Sequence, residues 1–459
     1  MSDPRAVPTL AEDRKRGREL RSEIKRSAHG KFVPTDRDPV SIVEKQNDSR
    51  LQDLVPVRMG RMLQSRFAYY RGTAGTMAFD LSKESRTEIH VTGCGDAHIA
   101  NFGLFAAPDR RVLFDLNDFD EAGPCPWEWD VKRLAASIEI GFRHNGFSPA
   151  QSEAACLAAV RSYRERMAEL TGMSALDRYY VRLEMEDLAR YARDEKGRKA
   201  IERTIRKAEK RTSQQVLAKI TITGGDGGPR IEDQPPILRH FGEVASFEEV
   251  RGVLAMYERT VRSDIALLLS KFRLADYALR VVGVGSVGTR CFILLLIGPK
   301  GEPIFLQLKE AGDSVLETWG GIPARPLAGP GPGGGNGYRV VSTQQVLQAS
   351  SDPFLGWVSD ERGTDYYVRQ FRDMKGSIDL DALSARQFEG LGMVCAHLLA
   401  RAHSQSPGWG AIPGYLGSSD SFDRAVTSWS KAYADQTERD FEALETAARS
   451  GRIPCETGV

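Results

Sequence analysis

The 459-residue chain balances 63 lysines and arginines against 62 aspartates and glutamates for a formal net charge of +1, with 41% hydrophobic and 27% charged residues. That balance excludes bulk electrostatic attraction as the basis for nucleic-acid or membrane-surface binding, and the length suits two or three globular domains. Six scattered cysteines without a CxxC pair argue for a reducing compartment. With no apolar stretch in "MSDPRAVPTLAEDRKRGRE" and none longer than about "CFILLLIG" elsewhere, a cytoplasmic protein without a membrane span is expected.

Residues 10–27, polar and basic with interspersed acids, read as a solvated helix. Four arginines follow among aromatics and methionines (Arg58, Arg61, Arg66, Arg71), suited either to holding phosphate or an acidic substrate or to structural ion pairs. "EIHVTG" (88–93) reads as a strand. "FGLFAA", "PDRR" and "VLFDLND" read as a hairpin. Residues 130–220 look mostly helical, with the mixed-sign stretch 192–211 facing solvent, and "GGDGGPRIEDQPP" is a loop. From about residue 279 the texture turns to strands. "ARPLAGPGPGGGNGY" reads as a flexible loop, "YRVVSTQQVLQASS" as a helix and "DYYVRQF" as a strand. "SARQFEGLGMVCAHLLARAHSQS" and Phe422 to about Arg449 read as amphipathic helices.

Three motifs carry chemistry. Gly283, Gly285 and Gly288 form G-x-G-x-x-G. A dinucleotide site needs a helix after it, but "CFILLLIG" is β-branched, aromatic and soon cut off. A glycine-rich turn between two strands, with Ser286 inside it, is the arrangement that covers ATP phosphates in kinases; an ordinary glycine hairpin stays open on this motif alone. The next strand, "PIFLQLKEA", ends in Lys309, where a kinase holds the α- and β-phosphates. Upstream, "CGDAHIANFGLFAAPDRRVLFDLNDFDEA" concentrates carboxylates that repel each other unless a cation lies among them. Asp96 and Asn101 have the D-x-x-x-x-N spacing of a proton acceptor and a metal ligand. The hairpin then returns the chain to Asp118, with Asp120 and Asp115 beside it and the faces of the latter two unassigned. His98 is placed to shape this loop by a hydrogen bond. A metallophosphoesterase is the rival reading of "GDAH", but the seven histidines are dispersed.

"GDAHIAN" followed by "DFDEAGPCPWEWDVKRLA" resembles the core of aminoglycoside-phosphotransferase-like kinases. The resemblance implies that Asp96 is the catalytic aspartate with His98 beside it. It implies that Asn101 and Asp118 are metal ligands and that Asp130 is structural, with Trp127 and Trp129 packed near it; Asp120 is a further candidate metal ligand from its neighbouring position. More closely, "CGDAHIANFG", "FDLNDFDEAGPCPWEWDVKRLAAS", "DYYVRQFRDMKGS" and "ARAHSQS" resemble the bacterial family called domain of unknown function 2252, over most of the chain. Three departures stand out. Cys94 replaces the usual histidine before Gly-Asp. The helix expected to supply a glutamate to Lys309 has Gln344, Gln345 and Gln348 instead, with Glu310 or Glu317 as substitutes. The catalytic loop also precedes the glycine loop.

The expected architecture is therefore α+β, a protein-kinase-like two-lobe fold, circularly permuted. Residues 1–80 form a helical extension, 81–270 most of the large lobe, 275–375 the small β-rich lobe and 376–459 the helical completion of the large lobe. The expected function is phosphoryl transfer from ATP, with Mg2+, to an unidentified hydroxyl. Gly283, Gly285, Ser286, Gly288 and Lys309 hold the nucleotide. Non-catalytic nucleotide binding and AMP transfer on the same scaffold are the alternatives.

Overall fold

The computed structural model describes residues 8–458 apart from 184–194, 196–197, 200–201, 204, 207–209, 211–212, 225–227, 241–244, 282, 327–333 and 372–375. The mixed-charge stretch 192–211 lies mostly outside the described residues, as does the centre of the glycine-rich loop. The described chain is α+β, with 51% helix and 15% strand.

In chain order, helices α1 (Leu10–Glu23), α2 (Pro39–Asn47), α3 (Val55–Met62), α4 (Arg66–Arg71) and α5 (Ala74–Leu81) come first. Strands β1 (His90–Gly93), β2 (Phe102–Ala106), β3 (Val112–Leu116) and β4 (Gly123–Pro126) frame the carboxylate-rich stretch. Strand β1 pairs with β4 and β2 with β3, both antiparallel. Helices α6 (Trp127–His144), α7 (Pro149–Leu170), α8 (Ala175–Tyr180) and α9 (Ser213–Ile220) follow, then the short strands β5 (Thr221–Thr223), β6 (Pro229–Ile231) and β7 (Leu238–Arg239). Next are α10 (Phe247–Tyr257), α11 (Ser263–Leu269), β8 (Arg273–Arg280), β9 (Cys291–Ile297) and β10 (Pro303–Glu310). The chain ends with α12 (Val315–Thr318), α13 (Gly335–Leu347), β11 (Gly356–Ser359), β12 (Asp365–Gln370), α14 (Ala385–His403), α15 (Ala411–Leu416) and α16 (Ser421–Arg449).

The main sheet has six antiparallel strands in the order β11-β12-β10-β9-β8-β7. Strand β9 is apolar throughout because it is buried on both faces. Phe292, Leu294 and Leu296 pack with Val250, Leu254 and Tyr257 of α10, while Ile293, Leu295 and Ile297 pack with Val216 and Ile220 of α9. Residues from α9 to α11 thus belong to the sheet's body. The boundary expected at 270–275 falls inside it, because a helix buries its apolar stripe against whatever face is nearest, regardless of chain order.

The helical body centres on α6, α7 and α14, whose apolar faces share one core with β1, β2 and β3. Capping boxes at Ser148/Gln151 and Ser384/Gln387 start α7 and α14, satisfying free N–H groups at their first turns. The extension joins both bodies: Leu54 and Val57 enter the sheet's cluster, and Val40, Met59 and Tyr69 pack with Phe441 and Leu444 of α16. Two loop expectations are corrected. Pro229–Ile231 inside "GGDGGPRIEDQPP" pairs as β6 with β5. Gly335, Asn336 and Gly337 already belong to α13, because the Asp365 carboxylate accepts the Asn336 N–H at 2.6 Å and anchors that end.

Candidate functional site

The loop from Cys94 to Asn101 leaves β1 and turns sharply. Gly95 has φ +72°, and a Cβ there would lie 2.4 Å from the Glu121 carbonyl oxygen, so only glycine fits. The loop hangs on Asp130, in the first turn of α6, whose carboxylate accepts the N–H groups of Cys94 (2.6 Å) and Gly95 (2.9 Å). The same carboxylate meets His403 Nε2 at 3.2 Å, and His403 Nδ1 lies 2.7 Å from the Tyr163 hydroxyl. His403, from "ARAHSQS" on α14, supplies the brace that Cys94 cannot. Trp127 stacks on Tyr163, one link further out, with 5.7 Å between ring centroids. Trp129 instead joins a separate cluster with Ala74 and Met77 of α5 and Leu316 of α12.

Asp96 Oδ1 accepts Arg133 Nε at 2.8 Å, and Arg133 is itself fixed by the Tyr70 carbonyl and by its guanidinium lying 3.9 Å from the Tyr70 ring centroid. His98 Nε2 stands 3.7 Å from Asp96 Oδ2, beyond hydrogen-bond length, so the hydrogen bond expected from His98 is not made through this pair. Burial pushes the His98 imidazole down to about 3, so it is neutral at neutral pH. Asn101 donates its carboxamide N–H groups to the carbonyls of Asp96 (3.1 Å) and Asp118 (3.0 Å), which leaves Oδ1 as its acceptor atom.

The β2–β3 hairpin brings Asp118 back beside Asn101, as the runs "FGLFAA" and "VLFDLND" around the turn "PDRR" predict. Phe119 is buried in the core between two carboxylates that both meet Lys309. Asp115 faces elsewhere: its carboxylate accepts the N–H groups of Leu116 and Ala349 and is not part of the cleft.

Lys309, on β10, has a side chain only 2% exposed. Its Nζ forms a short ion pair with Asp120, donates to Ser286 Oγ at 2.8 Å and lies 3.9 Å from Asp118 Oδ1. Burial opposes its charge, but Asp118 and Asp120 outweigh burial and raise its proton affinity. Asp120 also accepts the Tyr367 hydroxyl at 2.8 Å, and these partners outweigh burial to lower its pKa. Asp118, whose side chain is 47% exposed, is raised by desolvation in the cleft and by the Asp120 charge. The substitute glutamates are engaged elsewhere: Glu310 pairs with Arg290, and Glu317 accepts the Ala324 N–H.

Gly283 to Gly288 join strands β8 and β9, and a strand, not a helix, follows Gly288, which excludes the dinucleotide arrangement. Val284–Ser286 make a single 3-10 turn that points Ser286 at Lys309. Arg50, from the extension, donates to the carbonyls of Gly285 (2.8 Å) and Val287 (2.5 Å), while the Leu51 N–H donates to the Gly288 carbonyl at 2.8 Å.

Asp96, His98, Asn101, Asp118, Gly283, Gly285, Ser286 and Lys309 line one cleft of about 190 Å³, together with Arg71, Gln307 and Arg369. Asp120 reaches it through Lys309 and Ser286; Gly288 lies at the base of the loop against Arg50. Sequence reasoning missed Gln307, Arg369 and Tyr367. They come from register: Lys309 pairs with Tyr367 and Gln307 with Arg369 across β10–β12, and Arg369 Nε donates to Gln307 Oε1 at 2.8 Å. The period-2 spacing of Gln307 with Lys309 and of Tyr367 with Arg369 was the available signal.

Residues 50–447 match the family model described as "Uncharacterized protein conserved in bacteria (DUF2252)". The chain belongs to this family. Comparison with curated proteins and with solved structures returned no match. The DUF2252 match takes in every cleft residue, Arg71 of the extension among them, and also Arg50, which holds the glycine-rich turn. Among the described residues no helix is long and apolar enough to cross a membrane.

Proposed function

We propose that the cleft transfers a phosphoryl group from ATP to a hydroxyl acceptor on a kinase-like scaffold whose two lobes occur in permuted order. One observation carries this reading. Asp96, Asn101 and Asp118, from a loop and hairpin in the first third of the chain, meet Lys309 and a glycine-rich turn contributed by a sheet much later in sequence.

The residues present fit Mg2+. Among the described residues no group of three or more His, Cys, Asp or Glu is arranged to hold a metal. Mg2+ in phosphoryl-transfer sites needs only one or two protein oxygens, with phosphates and water completing the shell. The half-exposed Asp118 carboxylate and Asn101 Oδ1, whose amide hydrogens are already spent, are such a pair. When bound there, Mg2+ would neutralise phosphate charge. Lys309 holds phosphate oxygens. Asp96, oriented by Arg133 through Oδ1, takes the acceptor's proton on Oδ2. The acceptor oxygen bonds to the γ-phosphorus as the bridging P–O bond breaks, and that electron pair leaves with ADP. Positioning and charge neutralisation supply most of the effect.

The test is incubation with Mg2+ and γ-labelled ATP against a metabolite pool and a lysate, with calorimetry of a non-hydrolysable ATP analogue in parallel. Asp96→Ala is expected to keep analogue affinity within about twofold while transfer falls by roughly 10²-fold or more. Asp118→Asn is expected to weaken magnesium-dependent binding itself. Equal loss of binding in both variants overturns the assignment, and a product that gains AMP would make the chemistry adenylyl transfer.

A further inference from the structure

Three of the four arginines of residues 58–71, Arg58, Arg66 and Arg71, separate by environment. Arg58 is sealed in, donating to Asn47 Oδ1 at 2.8 Å and to the Gly72 carbonyl at 3.1 Å. Arg66 lies over the Phe441 ring and does not line the cleft. Arg71, at the last turn of α4, lines the cleft with Asp96, Asn101 and Asp118. Its Nε is shielded from water and has no hydrogen-bond partner, and no carboxylate among the described residues stands within ion-pair distance. It feels Asp96 and Asp118 only through space.

The other cations of the cleft are engaged. Lys309 is matched by Asp120, Arg133 by Asp96, and Arg369 by Gln307 and the Asn117 carbonyl. An arginine Nε held out of water without an acceptor is costly, and the planar donors of the guanidinium match phosphate oxygens. Position decides which phosphate. Lys309 enters from the sheet, whereas Arg71 enters on the side of the proton acceptor, because Arg133 ties the Tyr70 carbonyl, one residue before Arg71, to Asp96 Oδ1. An anion between Lys309 and Asp96 therefore meets Arg71 at its reacting end.

We propose that Arg71, supplied by the N-terminal extension, is a catalytic residue that binds the γ-phosphoryl group of the nucleotide and neutralises its charge during transfer. This rests on the phosphotransfer reading above. It makes the extension part of the active site, with Arg71 on the moving group and Arg50 on the loop above it.

The experiment measures affinity of the full chain for a magnesium-loaded non-hydrolysable ATP analogue and for magnesium-loaded ADP, with wild type, Arg71→Ala and Arg71→Lys. Wild type should prefer the triphosphate by about tenfold or more, as expected for charge-assisted hydrogen bonds to one additional phosphate. Arg71→Ala should erase that preference while leaving ADP affinity within about twofold, and Arg71→Lys should restore part of it. Melting without nucleotide checks folding; if Arg71→Ala does not fold, the Lys variant carries the comparison through a reduced preference. A folded Arg71→Ala or Arg71→Lys variant that keeps the full preference, or loses both ligands equally, overturns the role of Arg71 and leaves the phosphotransfer reading standing. A wild type that binds neither nucleotide overturns both.

Discussion

Asp118, Asp120 and Glu121 are near neighbours in sequence, yet the fold gives each a different charge environment. Lys309 and Tyr367 keep Asp120 ionised, Asp118 remains partly open, and Glu121 accepts the Val315 N–H on Oε2. Burial, reinforced by the Asp120 and Asp96 carboxylates, pushes Glu121 up to about 7. A carboxyl raised on folding favours the folded state while protonated. That contribution is fully present below the ordinary glutamate value, near 4.5, and is lost as pH rises through about 7. Glu121→Gln should therefore flatten the pH dependence of melting between pH 5 and pH 8 and raise the melting temperature at pH 8 by roughly 1–3 °C. A variant with the wild-type slope across that window would assign the pH dependence to other groups.

The elements with a local signal were legible: the hairpin of β2 and β3 by its turn, β9 by its continuous apolar run, β10 by the alternate Leu306 and Leu308, and α14 and α16 by helical spacing. The candidate site was legible where its residues sit within one motif, as with Asp96, Asn101 and Asp118. Illegible features depend on distant partners. The start of α13 is set by Asp365, the brace on Asp130 comes from His403, and the roof over Lys309 is fixed by Arg50. No local spacing encodes a contact between residues tens to hundreds of positions apart. The glycine-rich turn, with four glycine or serine positions, owes its conformation to that roof: Arg50 and Leu51 bond three of its carbonyls. Arg50→Ala should speed hydrogen exchange at the Ser286 and Thr289 amides by roughly tenfold or more, since loss of two charge-assisted bonds costs about 1–3 kcal/mol. Unchanged exchange there would show that the turn holds its shape unaided.

Across the whole molecule, first and last segments are stitched together. Arg37 bridges Asp80 and Asp440, each at 2.7 Å and all nearly buried, and Arg21 donates to the Tyr415 carbonyl at 2.7 Å. The loop that holds Asp96 is tied to the far end as well, since Asp130 is completed by His403 and the Thr92 N–H donates to Ser406 Oγ at 2.8 Å. This has a consequence during synthesis. A ribosome adding roughly 5–20 residues per second makes Asp96 about 15–60 s before His403. Throughout that interval the emerging chain holds Asp130 without its imidazole partner, and for most of it lacks the sheet that carries Lys309. On the phosphotransfer reading proposed above, a chain that stops short of His403 lacks the brace on its Asp96 loop and should not turn over nucleotide. Ribosome-arrested chains ending before α14 should bind no ATP analogue, whereas chains extended through Arg449 and clear of the exit tunnel should bind it; binding by the shorter chains would show that the loop is competent before its brace arrives.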